Sequence, residues 1–158
     1  MDGSDEDIIL ENGICNHCLS AQRALIECEQ EKINLPKIIE RIKKDGEGKE
    51  YDVLCGMSGG VDSSMVVHEA VKLGLRPLIF SMDNGYGDPR ADANVLQIVE
   101  KLKVPLYRYV LDLDKFRDLQ SAYLKAGVVN VEAIYDHLLW GASYEMASKY
   151  GIKWILSG

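Results

Sequence analysis

The stretch YDVLCGMSGGVDSSMVVHEAV, residues 51 to 71, limits what this chain can become more than any other. Val53, Leu54 and Cys55 form a short apolar run, Ser58-Gly59-Gly60 breaks it, and a helical apolar pattern follows from Val61. A buried strand that passes through a glycine turn directly into a helix is the opening unit of an α/β sheet. The same alternation continues downstream. The spacing predicts a first strand VLCGM, a helix over 62–73 ended by Gly74, and a second strand PLIFSM. Asp88-Pro89 reads as N-cap and first-turn proline of a helix whose Val95, Val99 and Leu102 face the sheet. LYRYVL is the third strand, Asp112 caps a helix ended by Gly127, another helix covers 132–150 up to Gly151, and KWILSG is the fourth strand. Units of this length call for a parallel sheet with right-handed crossovers and helices on both faces.

Residues 1–50 read differently, as an acidic Cys-x-x-Cys arm and a helical lead-in before the sheet domain of 51–158. Residues 1–13 show no apolar period and are expected to be irregular. Asn34 is placed to cap a helix in which Leu35, Ile38, Ile39 and Ile42 fall at i, i+3, i+4 and i+7, and DGEGKE reads as a linker. The whole chain, 158 residues with 47% hydrophobic and 27% charged, is globular by composition. Twenty-five acids against eighteen bases leave a net charge of −7, which argues against a nucleic acid partner. The bases between 37 and 49 are interrupted by Glu40, Asp45 and Glu47, as on a solvated helix face. No apolar run approaches the ~18 residues of a membrane span, and the acidic MDGSDEDI lacks the basic region of a signal peptide. A cytoplasmic protein with no membrane partner is therefore expected.

The cysteines are Cys15, Cys18, Cys28 and Cys55. Cys55 lies inside a predicted strand and reads as a small core residue. In GICNHC, Cys15 and Cys18 have the spacing that places two thiolates on one zinc ion, with Gly13 and Asn16 favouring the tight turn. Two thiolates do not close a tetrahedral site, so this is a partial Zn²⁺ site unless His17 or Cys28 completes it.

The turn at 58–63 invites an anion. Gly59 and Gly60 allow positive φ and close approach of backbone N–H groups, and the helix behind them adds the partial positive charge of its N-terminus. Ser58, Ser63 and Ser64 add hydroxyl donors. Neither a Walker A ending nor a G-x-G-x-x-G pattern is present. Asp62 inside an anion site repels phosphate unless a cation lies between them, which points to Mg²⁺. A bare strand-to-helix turn with Asp62 or Ser63 as N-cap is the structural alternative; the full string after a strand favours a nucleotide.

SGGVDSS resembles the SGGxDS loop of the PP-loop ATP pyrophosphatases, which include GMP, NAD and argininosuccinate synthetases and several tRNA-modifying enzymes. DEDIILENGICNHC and EAIYDHLLWGASYEMASKYGIKWILSG further resemble the N-acetyl sugar amidotransferases of bacterial surface-polysaccharide and nonulosonic-acid pathways. That resemblance implies a HUP-type (adenine nucleotide alpha hydrolase-like) α/β fold with strand order 3-2-1-4. It implies ATP-dependent adenylation of a sugar N-acetyl group for attack by ammonia from a glutaminase subunit, giving an acetamidino sugar. Another PP-loop activity, tRNA thiolation or amide ligation, and a non-catalytic nucleotide-binding fragment are the alternatives. The implied ATP and Mg²⁺ residues are Ser58, Gly59, Gly60, Asp62, Ser63 and Ser64, with Asp62 and Ser63 at the chemistry and Asp62 on the metal. The backbone of Phe80, Ser81 and Met82 is the implied adenine-reading edge, Asp83 and Asn84 are placed for ribose or phosphate, and Asp136 and His137 for the sugar. His68, Tyr107, Tyr109 and Trp154 read as structural. Relatives carry a second cysteine pair before Met1 and continue past ILSG, so a shortened or partial member is expected, its fourth strand an open edge that predicts a homodimer.

Overall fold

The computed structural model describes residues 7–158, in two units that meet between Glu40 and Arg41. In the first, β1 (Leu10–Glu11) pairs antiparallel with β2 (Ile14–Cys15) through Asn12-Gly13. Both turn residues have positive φ, 51° and 81°, as a two-residue hairpin loop requires. The expected irregular arm is thus a hairpin over 10–15, and residues 1–6 of it lie outside the described residues. Asn16 is not part of the turn. It opens helix α1 (Asn16–Glu31), and its side chain bonds back to Ile9 N–H and Asp7 C=O. A 3₁₀ turn (Lys32–Asn34) leads into α2 (Leu35–Asp45), so Asn34 ends one helical segment rather than capping the next. Its side-chain amide donates to Glu31.

The second unit carries the sheet. Its strands are β3 (Val53–Gly56), β4 (Pro77–Asp83), β5 (Leu106–Val110) and β6 (Ile155–Leu156), all parallel, in the order β5-β4-β3-β6. That is the expected 3-2-1-4 order. Between them run α3 (Val61–Lys72), α4 (Pro89–Leu102), α5 (Leu113–Lys125) and α6 (Ala133–Lys149). The period of two sorts the strand residues by face. Leu54, Leu78 and Phe80 pack with Ala142, Met146 and Ala147 of α6, while Val53, Cys55 and Ile79 belong to the other face, where α3 lies on β3 and β4 and touches α4. Each fully buried aliphatic of this kind contributes about 1.5–3 kcal/mol.

Local chemistry sets the helix ends. The Asp88 carboxylate accepts from Arg90 N–H with Pro89 behind it, the Asp112 carboxylate accepts from Lys115 N–H, and Gly74, Gly127 and Gly151 take positive φ just beyond α3, α5 and α6.

DGEGKE belongs to the sheet unit rather than to a linker. Arg76 donates to Lys49 C=O, Gly46 C=O and both oxygens of Asp52, a carboxylate only 4% exposed. Burial alone would raise the Asp52 pKa, but the Arg76 hydrogen bonds and charge outweigh it and hold it below the ordinary value. A Cβ at Gly46 would lie 2.0 Å from Asp52 Oδ1, so only glycine admits this approach. The unit boundary therefore falls before Arg41 rather than at residue 50. Of the expected apolar face of α2, Ile42 is buried inside the second unit, whereas Leu35 and Ile38 are exposed. No helix among the described residues is long and apolar enough to cross a membrane.

Candidate functional site

The carboxyl ends of β3 and β4 open onto a cleft of about 330 Å³, a position where parallel sheets bind ligands. Ser58 and Ser63 form one wall, Phe80, Ser81 and Met82 the floor, Asn84, Tyr86, Gly87, Asp88 and Asp92 the second wall, and Tyr135 and Leu139 of α6 the third. The loop between β3 and α3 is braced internally. Ser63 Oγ accepts from Ser58 N–H at 3.2 Å, donates to Gly60 C=O at 3.3 Å and lies 3.1 Å from Ser58 Oγ. The first intrahelical bond of α3 runs from Ser64 N–H to Gly60 C=O, so the amides of Val61, Asp62 and Ser63 lie in the turn that has no intrahelical acceptors. Three consecutive backbone amides without intrahelical acceptors at a helix start are the arrangement that the expected anion cradle requires.

The two loop glycines differ. Gly59 has φ of 84°, and a Cβ there would lie 2.2 Å from the Ala91 carbonyl of α4, whose Asn94 amide donates to Gly59 C=O. Gly60 has φ of −79° and caps the helix. The expected need for positive φ therefore holds at Gly59 and fails at Gly60, where the lack of a side chain leaves room beside Ser58 Oγ. Ser64 also departs from expectation. Its hydroxyl donates to Gly60 C=O at 2.6 Å, which commits its proton to the helix, and it lines a different groove. That groove, between α3 and α4, is apolar and also includes Asp62, Met65, His68, Ile98 and Leu102. Asp62 is exposed on the first turn of α3 and does not line the cleft.

On β4 the backbone is the informative part. Ile79 and Asp83 exchange bonds toward β5, while Phe80 C=O accepts from Met57 N–H on the β3 side. Two residues on, the N–H and C=O of Met82 face that same side, where β3 has already turned into the loop and no strand lies opposite among the described residues. Asp83 and Asn84 shape the turn that follows, accepting from Gly85 N–H and Tyr86 N–H respectively. Asn84 lines the cleft; Asp83 instead also pairs with Arg108 at 3.5 Å.

Several cleft residues escape sequence reasoning. Asp92, one turn after the Asp88 cap, faces the cleft and is held by Arg108 Nη2 at 2.6 Å. The Nε of that arginine is buried with no hydrogen-bond partner among the described residues. Burial, with the charges of Glu132, Asp136 and Asp83, raises the Tyr135 pKa, so its phenol is a neutral hydrogen-bonding group in the α6 wall. Only its place one helical turn before Leu139 hinted at this. The expected sugar pair does not join it: Asp136 and His137 are exposed on α6 outside the cleft, and His137 Nδ1 is bonded to Ala133 C=O at 2.5 Å.

The Cys-x-x-Cys pair lies in the first unit. Cys15 is the N-cap of α1, buried, with its Sγ accepting from Cys18 N–H at 3.4 Å, and Cys18 is exposed. Cys28 lies ten residues further along α1, roughly 15 Å by helical rise, and cannot complete a site with them. No group of three or more His, Cys, Asp or Glu side chains that could hold a metal occurs among the described residues, so the partial Zn²⁺ site gains no further ligand.

No protein-family model matches the chain, and no curated protein does. Solved structures do. The NH3-dependent NAD synthetase from Campylobacter jejuni subsp. jejuni, solved with a nitrate ion, has a TM-score of 0.55 and 14% identity over 75% of this chain and 52% of its own. The NMN synthetase from Francisella tularensis has a TM-score of 0.56 and 19% identity over 78% of this chain and 52% of its own. The likeness is one of fold. The chain spans about half the length of each of these structures.

Proposed function

We propose that the cleft binds ATP and that the chain is the ATP-binding part of a PP-loop enzyme that adenylates an amide or carboxyl oxygen for attack by ammonia. The observation that carries this reading is the preformed amide cradle at the start of α3, opposite the open backbone edge of Met82. The two ends suit the two ends of ATP. Turn amides and a helix N-terminus favour phosphate oxygens, and an N–H beside a C=O suits a base edge that offers an acceptor beside a donor. Tyr86, exposed beside the cleft with its ring 6.3 Å from that of Phe116, offers an aromatic face to the base. The fold likeness supports the same reading, since NAD synthetases are among the enzymes whose SGGxDS loop this sequence resembles and one such neighbour is NH3-dependent.

Mg²⁺ fits the donor set. This ion takes one or two carboxylates and completes its shell with phosphate and water oxygens. Asp62 sits on the turn that supplies the cradle with its side chain on the neighbouring α3–α4 groove, so it would hold the ion only at the rim of the cleft, where the ion would supply charge neutralisation for departing pyrophosphate. The cleft needs such a cation, because its own charged side chains, Asp88 and Asp92, are acids. Within the reaction, the amides of the α3 turn bind and orient the phosphates, Ser58 and Ser63 keep that turn in shape, and the three walls limit water. The acceptor is proposed to be a sugar N-acetyl group and the ammonia source a glutaminase partner, both supported by the sequence resemblance; a cytoplasmic location follows the same reading.

Calorimetry with ATP, with and without Mg²⁺, tests the site. Binding is expected only with the metal, and Asp62→Ala is expected to weaken it at least about tenfold, the loss of one charge-assisted interaction. Equal affinity in the variant would remove Asp62 from the metal site. Absence of any nucleotide binding would remove the reading itself.

A further inference from the structure

We propose that Asp92, held in place by Arg108, is the ribose-reading residue of the cleft, its second carboxylate oxygen accepting a hydrogen bond from one of the two ribose hydroxyls. The proposal rests on the ATP reading and deepens it, since it sets a preference for ribonucleotides over deoxyribonucleotides.

The place of Asp92 follows from its neighbours at the two ends of the cleft. Toward the phosphate loop, it stands on α4 between Ala91, whose carbonyl abuts Gly59, and Asn94, whose side-chain amide donates to Gly59 C=O. Toward the base edge, Arg108 Nη2 lies 2.6 Å from Asp92 Oδ1 and 3.5 Å from Asp83 Oδ2, and Asp83 directly follows Met82. Asp92 therefore lies between the amide cradle and the Met82 backbone. In ATP the ribose is the part that joins base to triphosphate, so the sugar is what occupies that interval.

A ribose diol offers two hydroxyl donors, and a carboxylate oxygen free of other bonds is the acceptor that binds them most strongly. The competing acceptors are committed. Asp88 accepts from Arg90 through both of its oxygens, Asp83 accepts from Gly85 N–H and pairs with Arg108, and Asn84 Oδ1 accepts from Tyr86 N–H. The two residues expected from the sequence to meet ribose or phosphate thus have their side-chain acceptors occupied. Asp92 uses only Oδ1, and its Oδ2 has no hydrogen-bond partner among the described residues, with no side chain at Gly87 to cover it. Arg108 is the positioning residue. Its charge offsets that of a carboxylate whose helix touches the phosphate loop, and its bond to Oδ1 fixes which oxygen is left for the sugar. Because its Nε is buried without a partner among the described residues, the guanidinium serves Asp92 through Nη2 rather than through a full two-pronged pair.

Calorimetry of the whole chain with ATP, 2′-deoxy-ATP and 3′-deoxy-ATP, each with Mg²⁺, tests this. In the parent, at least one deoxynucleotide is expected to bind about tenfold more weakly than ATP, the loss of one charge-assisted hydrogen bond. Asp92→Ala is expected to weaken ATP by that factor and to bring the ratio to about one. Arg108→Met is expected to lower the ratio as well and Arg108→Lys to restore part of it, a pattern that a merely structural arginine does not give. Asp88→Ala, whose carboxylate serves Arg90, is expected to keep the ratio. Each ratio is taken within one protein, so a general loss of affinity cancels, and circular dichroism identifies any variant that fails to fold; should Asp92→Ala do so, the two Arg108 variants carry the same test. ATP binding without discrimination in the parent, or a ratio that survives Asp92→Ala as it would if the carboxylate served the metal, would overturn the proposal and leave the ATP reading standing. No binding of any of the three nucleotides would overturn both.

Discussion

Helices α1 and α3 both begin on an extended residue, yet they are held by different forces. Among its sixteen residues α1 has none buried, and Leu25 and Ile26 are exposed. The twelve residues of α3 bury Ser63, Val67 and Ala70 against a sheet that is itself buried. A cap, a hairpin and helix propensity account for the first; tertiary packing accounts for the second. One consequence is that function demanding exact geometry belongs at α3, while the body of α1 tolerates substitution without disturbing a core.

The largest test of this contrast is a pair of truncations. Leu54→Ala, beneath α6 and fully buried, is expected to cost about 3–4 kcal/mol in urea unfolding, and Leu25→Ala to change stability by less than about 0.5 kcal/mol. Similar costs for the two would mean that α1 has a core of its own.

Next is Arg76→Ala, which leaves Asp52 buried without its partner. Because the arginine side chain is itself half exposed, the expected cost is near the lower end for a broken buried pair, about 3 kcal/mol. The sign of the pH effect follows. The folded pKa of Asp52 lies below its ordinary 3.8, so the pair's contribution is present above that pH and is lost as pH falls through the folded value. The parent should lose stability in that acid window, and Arg76→Ala should lose less. An unchanged acid dependence in the variant would assign the transition to other carboxylates.

A finer probe separates the two glycines of the loop. Gly59→Ala meets both a positive φ and the Ala91 carbonyl, for an expected cost of about 2 kcal/mol, while Gly60→Ala, at an ordinary φ, is expected to cost about 0.5 kcal/mol as a poorer N-cap. If Gly60→Ala proved the worse of the two, the loop would have a conformation other than the one described.

What could be read from the sequence was whatever local chemistry decides. Asp88, Asp112 and the terminal glycines announce helix ends through their own hydrogen bonds and φ preferences, and the apolar runs at 53–57 and 77–82 announce buried strands. The pairing of Leu54 with Ile155 and Cys55 with Leu156 agrees with the strand order implied by the resemblance. What was missed depends on distant partners. Asp92 joins the cleft because Arg108, sixteen residues away on β5, holds it there; no spacing reveals that. Ser64 sits in a motif that suggests a phosphate donor, yet competition from the Gly60 carbonyl turns its hydroxyl inward. The arm is the exception, since Asn12-Gly13 was a local hairpin signal that the Cys-x-x-Cys spacing overshadowed.

The turn at the end of β4 also bears on how the molecule ages. Asn84-Gly85 is the kind of dipeptide that loses its amide when the glycine nitrogen attacks the asparagine side-chain carbon and closes a succinimide ring. Here the Gly85 N–H is bound to Asp83 Oδ1 at 2.9 Å, and Asn84 Oδ1 is occupied by Tyr86 N–H at 3.0 Å. The nucleophile and its target are each held by another bond, so the same contacts that shape the cleft wall slow its decay. Asp83→Ala, which frees the glycine nitrogen, is expected to accumulate isoaspartate at position 84 faster than the parent on storage at neutral pH, and equal rates would show that the loop opens too often for these bonds to protect it.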